Sequence, residues 1–374
     1  MTTLMNDVDV QDFLRGADFM SASGGGDPET ERKHLLADVA AGKKLGWRPL
    51  NDFDDEDLLV CCCYSGSIAP ETFEEQQDKE RELGGGRVHE RPFTAAVRLL
   101  EDQIGKRASG LVSVEMGGIN GGAILAASSA LELPLADADY AGRAIPELNA
   151  TALNIHDAPI LPFACVDHYD NQVVVHGSPS LAWTERIGKY LALSAFGLVA
   201  CAFAALPVAR VREMAIEGTF TDALRLGAAI RRAREAGEDP VAAAVEAVHG
   251  WLLFQGTITN RDWSNIGYMQ GRQTLSGVGE FADHELVVWF LNENHVSWLD
   301  GKPWVTSPDV IEFCDPKTGE PLTNTYLEVG QEVAVVGARR RDAFDSEAGI
   351  ATLGPKHFGF DLPFQGIEAL VDAL

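Results

Sequence analysis

The sequence predicts an α/β N-terminal domain, layered around a mostly parallel or mixed sheet, followed by a second domain of helices and a mainly β C-terminal part. Three observations carry this. Up to about residue 168, apolar runs of strand length alternate with helical stretches, the pattern of a sheet with crossover helices. Helical patterns then dominate as far as about residue 249. From Trp251 onward the chain reads as short apolar strands divided by Gly, Asp and Pro turns. At 374 residues it is too long for one ordinary core, which places a boundary between 1–168 and 169–374.

Composition narrows the function classes. Hydrophobic residues make up 46% and charged residues 23%, as in water-soluble globular chains. A formal net charge of −26 repels phosphate backbones and anionic lipid, so neither nucleic acid nor a membrane is expected as partner. The start, MTTLMNDVDVQDF, lacks a basic region followed by an apolar core, and so does not read as a signal peptide. The six cysteines show no CxxC pairing and read as reduced thiols, which points to the cytoplasm. Cys61-Cys62-Cys63 reads as core packing, with Cys62 facing opposite to its neighbours.

Taken in order, Val8–Phe19 reads as an amphipathic helix. Ser23-Gly24-Gly25-Gly26-Asp27-Pro28 then forms a glycine-rich loop in which Asp27 caps the next helix, expected to reach about Ala41. Leu58–Tyr64 is a strand. A charged segment, 71–82, reads as an exposed helix that Gly84–Gly86 ends, and Pro92 starts another. Leu111–Glu115 is a strand, followed by a Gly-Gly-Ile-Asn-Gly-Gly turn and a helix from about Ala123 to Leu131. A second short strand ends at Asp137 and Asp139, and Pro146-Glu147 opens a helical turn. Ile160–Val166 and Gln172–His176 flank a turn. The stretch 184–206 reads as one long buried helix, and 221–236 and 240–249 as two more, parted by Gly237 and Pro240.

The window around residues 111–148 concentrates the chemistry. In open α/β sheets ligands bind beyond the C-terminal ends of the strands. Glu115, Asp137, Asp139 and Glu147 stand at such ends or in a first helical turn. Backbone N–H groups at Gly117, Gly118 and the helix start after Asn120 can face an anion. Arg143 can clamp a carboxylate or carbonyl, or can pair with the acids themselves. The order GxGxxG is missing, which argues against a dinucleotide site.

The run Glu115-Met-Gly117-Gly118-Ile-Asn120, then Pro134, Asp137-Ala-Asp139 and Gly142-Arg143-Ala-Ile-Pro146-Glu147-Leu148, resembles the signature of the S-methyl-thiohydantoin desulfurase family, also called DUF917. The glycine-rich loop with Gly24, Gly25 and Gly26 is similar to that family's, as are Phe290-Leu-Asn292-Glu293-Asn294, Pro308-Asp309 and the Gly354-Pro355 to Phe358-Gly359 tail. The loop at Ser65-Gly66-Ser67 and the triplet His89-Glu90-Arg91 depart from it. The resemblance implies a two-domain protein tied to hydantoin-type ring catabolism, found beside hydantoinase/oxoprolinase-like proteins, whose named activity removes sulfur hydrolytically from a thiohydantoin.

That chemistry needs a base for water, donors for the charge that builds on the ring, and an acid for the leaving group. Glu115, Asp137, Asp139 and Glu147 are the candidate acids and bases. Gly24, Gly25, Gly26, Gly117, Gly118, Asn120, Arg143, Asn292 and Glu293 are the candidate substrate contacts, with the site between the domains. Carboxylates sharing a cleft raise one another's pKa, so one of them can hold a proton near neutrality. A divalent metal on His156, Asp157, Asp167 and His168 is a further possibility, although no HxH or HExxH pattern supports it. No other cofactor is expected. The expected partners are a small heterocycle and further copies of the chain in a homo-oligomer. The alternative to a hydrolase is a non-catalytic subunit of a hydantoinase/oxoprolinase-type complex.

Overall fold

The computed structural model describes residues 1–66, 79–266 and 268–371. Most of the charged segment expected as a helix at 71–82 lies outside them. In chain order the first domain contains β1 (Thr2–Leu4), α1 (Asp7–Phe19), α2 (Glu29–Ala40), β2 (Leu45–Arg48), β3 (Leu58–Gly66), α3 (Phe93–Ile104), β4 (Gly110–Ser113), α4 (Gly118–Leu131), β5 (Leu135–Ala136), β6 (Ala138–Asp139), β7 (Phe163–Val166), β8 (Gln172–Val175), α5 (Leu181–Ser194) and β9 (Leu198–Pro207). Eight of these strands form one sheet in the order β1-β2-β5-β4-β3-β9-β7-β8. Its centre, β2-β5-β4-β3, is parallel, and both margins are antiparallel. It is a mixed sheet with helices on both faces, and it draws strands from both sides of residue 168.

One expectation fails. The stretch 184–206 is not a single helix. The helix α5 stops at Ser194, Phe196 (φ 59°) and Gly197 (φ 114°) turn the chain, and β9 runs back through the middle of the sheet between β3 and β7. A continuous apolar run suits a buried strand as well as a buried helix, and its periodicity cannot separate the two. The turn dipeptide decides between them. Likewise the glycine turn before Ala123 is already helix: Gly117 is extended, and Gly121 N donates to its carbonyl at 2.8 Å.

The cysteine strand behaves as alternation requires. Cys61 and Cys63 enter the core on one face of the sheet and Cys62 the core on the other. Burial pushes the Cys61 and Cys62 thiols well up, which keeps them inert.

The second domain carries β10 (Ile216–Glu217), α6 (Thr219–Ala236) and α7 (Pro240–Ala247). A seven-stranded antiparallel sheet follows: β11 (Trp251–Ile266), β12 (Tyr268–Gly277), β13 (Glu285–Leu291), β14 (Glu293–Leu299), β15 (Lys302–Thr306), β16 (Val310–Cys314) and β17 (Glu332–Ala338). Its order is β15-β14-β13-β12-β11-β17-β16. The sheet curls until its two margins meet, with Asn294 Nδ2 donating to Ile311 O at 3.1 Å.

The domains interlock. The helix α1 crosses α6 so closely that a Cβ on Gly16 would stand 1.7 Å from Ala223 O, and one on Gly227 would stand 1.8 Å from Asp12 O. The glycine-rich loop is sewn to the second sheet. Asn294 N donates to Ala22 O, Asn324 N donates to Ser23 O, and the Glu312 carboxylate accepts from Ser23 N at 2.6 Å and from Ser23 Oγ at 3.2 Å.

A candidate active site between the domains

The ends of β3 and β4, the start of α4, the glycine-rich loop, α5 and the β13–β14 turn enclose a cleft of about 590 Å3, open to solvent. Among its lining residues are Gly24, Gly25, Glu115, Asn120, Glu147, Asn292 and Glu293, from both domains. Its position beyond the strand ends is the one open α/β sheets favour.

Glu115 lies just past β4 and is 7% exposed. Its Oε1 accepts from Asn120 Nδ2 at 2.5 Å and its Oε2 from Ile145 N at 2.6 Å. Burial lifts the carboxyl to about 7, against the pull of those two donors, and the Asp139 charge adds to the rise. Asn120 sits inside α4 rather than capping it, and its Oδ1 accepts from Tyr64 N at 2.7 Å, which locks the amide.

Glu147 accepts from Tyr268 OH at 3.1 Å and meets His357 Nε2 at 3.3 Å. Burial alone would raise its carboxyl, but His357, Tyr268 and Asn149 together outweigh it and hold the group below the usual range. Glu293, 2% exposed, packs its side chain where Gly24 leaves room: a Cβ on Gly24 would lie 2.5 Å from Glu293 Oε1. Burial, with Glu115 nearby, holds the Glu293 carboxyl well up. Among the described residues its Oε2 has no hydrogen-bond partner, and His295 Nε2, likewise without one, stands 3.9 Å away. Asn292 takes positive φ (55°) between the paired strands β13 and β14. The polar triplet 292–294 is therefore both a hairpin turn and, through Asn292 and Glu293, part of the cleft wall.

The remaining candidates stand elsewhere. Asp137 caps α6, accepting from Phe220 N, Thr221 N and Thr221 Oγ1. Asp139 accepts from Ala141 N and Gly142 N. Burial raises its carboxyl to about 7, and its Oδ2 has no hydrogen-bond partner among the described residues. Arg143, 2% exposed, donates to the carbonyls of Ala144, Asp309 and Asn294, so it fastens the first domain to the second. Gly118 N donates to Ser21 Oγ and Gly117 is the helix cap, so these amides line no part of the cleft. Gly26 turns the loop beside it, with φ 74°.

The suggested metal ligands do not gather. Asp167 accepts from Tyr169 N, Asn171 N and Asn171 Nδ2 within its own turn, and His168 Nδ1 meets His89 O at 2.7 Å. Among the described residues no group of three or more His, Cys, Asp or Glu is arranged to hold a metal ion.

Sequence reasoning missed Lys189 and Glu185. They lie four apart on α5, face the cleft, and pair at 3.6 Å. Lys189 Nζ also donates to Gly66 O at 2.7 Å and sits 4.4 Å from the centre of the Tyr268 ring. The signal was present, an acid and a lysine four apart, at helical spacing.

An α/β domain locked to a curled antiparallel sheet, with buried carboxyls at the seam, defines a two-domain protein with an interdomain acidic cleft. The chain belongs to the S-Me-THD-like family: the description "S-Me-THD-like, N-terminal domain" matches residues 8–177 and "S-Me-THD-like, C-terminal domain" matches 179–367. This agrees with the resemblance carried by the 115–148 motifs. The fold is also similar to that of a protein from Chromobacterium violaceum solved by X-ray crystallography, with TM-score 0.76 and 19% identity over 98% of this chain and 100% of that one. No curated protein matches the chain. Among the described residues no helix is long and apolar enough to cross a membrane.

Proposed function

We propose that the chain is a hydrolase of a small cyclic amide or thioamide of the hydantoin or thiohydantoin type, and that the interdomain cleft is its site. One observation carries this reading: Glu115, a carboxyl tuned to about 7 and oriented by two donors, lines a cleft large enough for a five-membered ring. The family membership agrees with a thiohydantoin-related role.

In this reading Glu115 is the general base. It takes a proton from water as the water oxygen bonds to the ring carbon that bears sulfur. The resulting tetrahedral adduct collapses with cleavage of the C–S bond, and the departing thiolate takes the proton back from Glu115. Lys189, whose ammonium carries three N–H donors and spends one on Gly66 O, stabilises the charge on the adduct. Glu147, Glu293 and Asn292 receive ring N–H groups, and Gly24 and Gly25 let the ring approach the backbone. Asp139 acts at a distance, through its charge on Glu115.

The test is turnover of S-methyl-thiohydantoins, thiohydantoins and hydantoins by the purified chain, followed by thiol release or ring opening. Turnover lost in Glu115→Gln with folding intact supports the assignment. A chain that binds these rings but turns none over, and gains activity only with a hydantoinase-type partner, would replace it with the accessory-subunit reading.

A further inference from the structure

A second and larger cavity lies on the other side of Arg143. It holds about 1640 Å3 of empty space, open to solvent, between α6, the end of α1, the turn after β6 and the segment after β17. This leaves room for a drug-sized ligand. Its floor is apolar, with Phe19, Met20, Leu226, Trp251, Val336 and Phe344.

Its rim carries five arginines, Arg143, Arg225, Arg339, Arg340 and Arg341, against the carboxyls of Glu217, Asp222 and Asp342. Arg339 and Arg340 are each committed to two or more acids. Arg225 and Arg341 are not. They share a single carboxylate, Asp222, at 3.2 and 2.9 Å. Arg341 is laid into place by Gly142, where a Cβ would stand 2.4 Å from its Cγ. Arg143 lines the same cavity and has no carboxylate within 4 Å among the described residues, since its donors go to carbonyls. At this corner two guanidiniums, Arg225 and Arg341, thus pair with one carboxylate beside an apolar floor. Buried Glu312 on that floor is held above the usual carboxylate range by its burial, so it opposes an incoming anion little.

We propose that this cavity is a second ligand site, for a small organic oxyanion: its carboxylate or phosphate sits between Arg225 and Arg341, and its aromatic or aliphatic body lies against Phe19, Met20 and Trp251. An apolar body with a fixed anionic handle is the ligand that uses both parts of the wall. Guanidinium pairs recognise carboxylate and phosphate by the same forked geometry.

The experiment is titration calorimetry on the full chain with 3-phenylpropionate, phenyl phosphate, inorganic phosphate and neutral 3-phenylpropanol. At least one aromatic anion is expected to bind saturably, about tenfold or more tighter than the alcohol, and to weaken about tenfold or more in the double variant Arg225→Gln/Arg341→Gln. Glu115→Gln is expected to bind it unchanged, which places it here and not in the cleft. The thermal melts of ligand-free variants check folding, and the single variants Arg225→Gln and Arg341→Gln replace the double one if it melts early. The proposal is overturned if neither aromatic anion binds saturably up to about 5 mM, if the alcohol binds as well, if the arginine variants bind unchanged, or if Glu115→Gln abolishes binding.

Discussion

Asn120 holds Glu115 and the end of β3 at once: its Nδ2 donates to Glu115 Oε1 at 2.5 Å while its Oδ1 accepts from Tyr64 N at 2.7 Å. A single amide thus sets both the direction of the acid and its distance from the strand wall. Removing it frees Glu115 and leaves a buried N–H unmet. Asn120→Ala is expected to cost about 1–3 kcal/mol of stability and to lower kcat more than it raises KM. Chemical denaturation and steady-state kinetics measure the two effects.

Glu115→Gln is expected to lower kcat by at least about a hundredfold, since an amide cannot take the proton from water. In the unaltered chain kcat/KM is expected to rise with pH through about 7, where the carboxyl ionises. The pH–rate profile shows this limb, and any residual rate in Glu115→Gln should lack it.

The same group predicts how stability varies with pH. Folding raises the Glu115 carboxyl to about 7 from an ordinary carboxylate value, so between the two the folded chain holds a proton that the unfolded chain has released. Stability therefore falls as pH rises through that window and levels off above it. Asp139, also at about 7, slopes the same way. Glu115→Gln is expected to recover roughly 1–3 kcal/mol relative to the parent chain on going from about pH 5 to pH 8, read from denaturation midpoints.

Asp137 separates a structural acid from a chemical one. Its carboxylate caps α6 through Phe220 N and Thr221 N. Asp137→Ala is expected to cost about 0.5–2 kcal/mol and to leave kcat near that of the parent chain. A large fall in kcat with unchanged stability would put Asp137 back among the reacting groups.

Gly16→Ala and Gly227→Ala test the domain contact. Each new methyl would enter the van der Waals shell of a backbone carbonyl on the opposite helix. A loss of about 1–3 kcal/mol or more is expected for either, measured by urea unfolding.

The sequence showed the strand-and-helix order, the glycine-rich loop and the acids at strand ends, because each rests on local residue chemistry. Cys61–Cys63 alternates as its spacing requires, and the 115–148 motifs mark the family. The helix expected at 184–206 fails where local pattern is weakest, in the apolar run 190–206, which the Phe196-Gly197 turn divides. The candidate acids sort by what each accepts from. Asp137 and Asp139 stand at the ends of β5 and β6, but the N–H groups of α6 and of the 141–142 turn claim them. Those partners come from the tertiary structure, so spacing alone cannot tell a helix cap from a base. Lys189 reaches the cleft only because α5 folds over it.

Ser23 and Glu312 are separated by most of the chain, yet two hydrogen bonds join them in the dry interior. The loop that walls the cleft in one half is therefore held in shape by an acid from the other. Neither half can be traded for a distant cousin's as a ready-made cassette: a chimera joined near residue 178 would have to re-match this seam before it regained a pocket. Inheritance should keep the two halves together, as one indivisible piece.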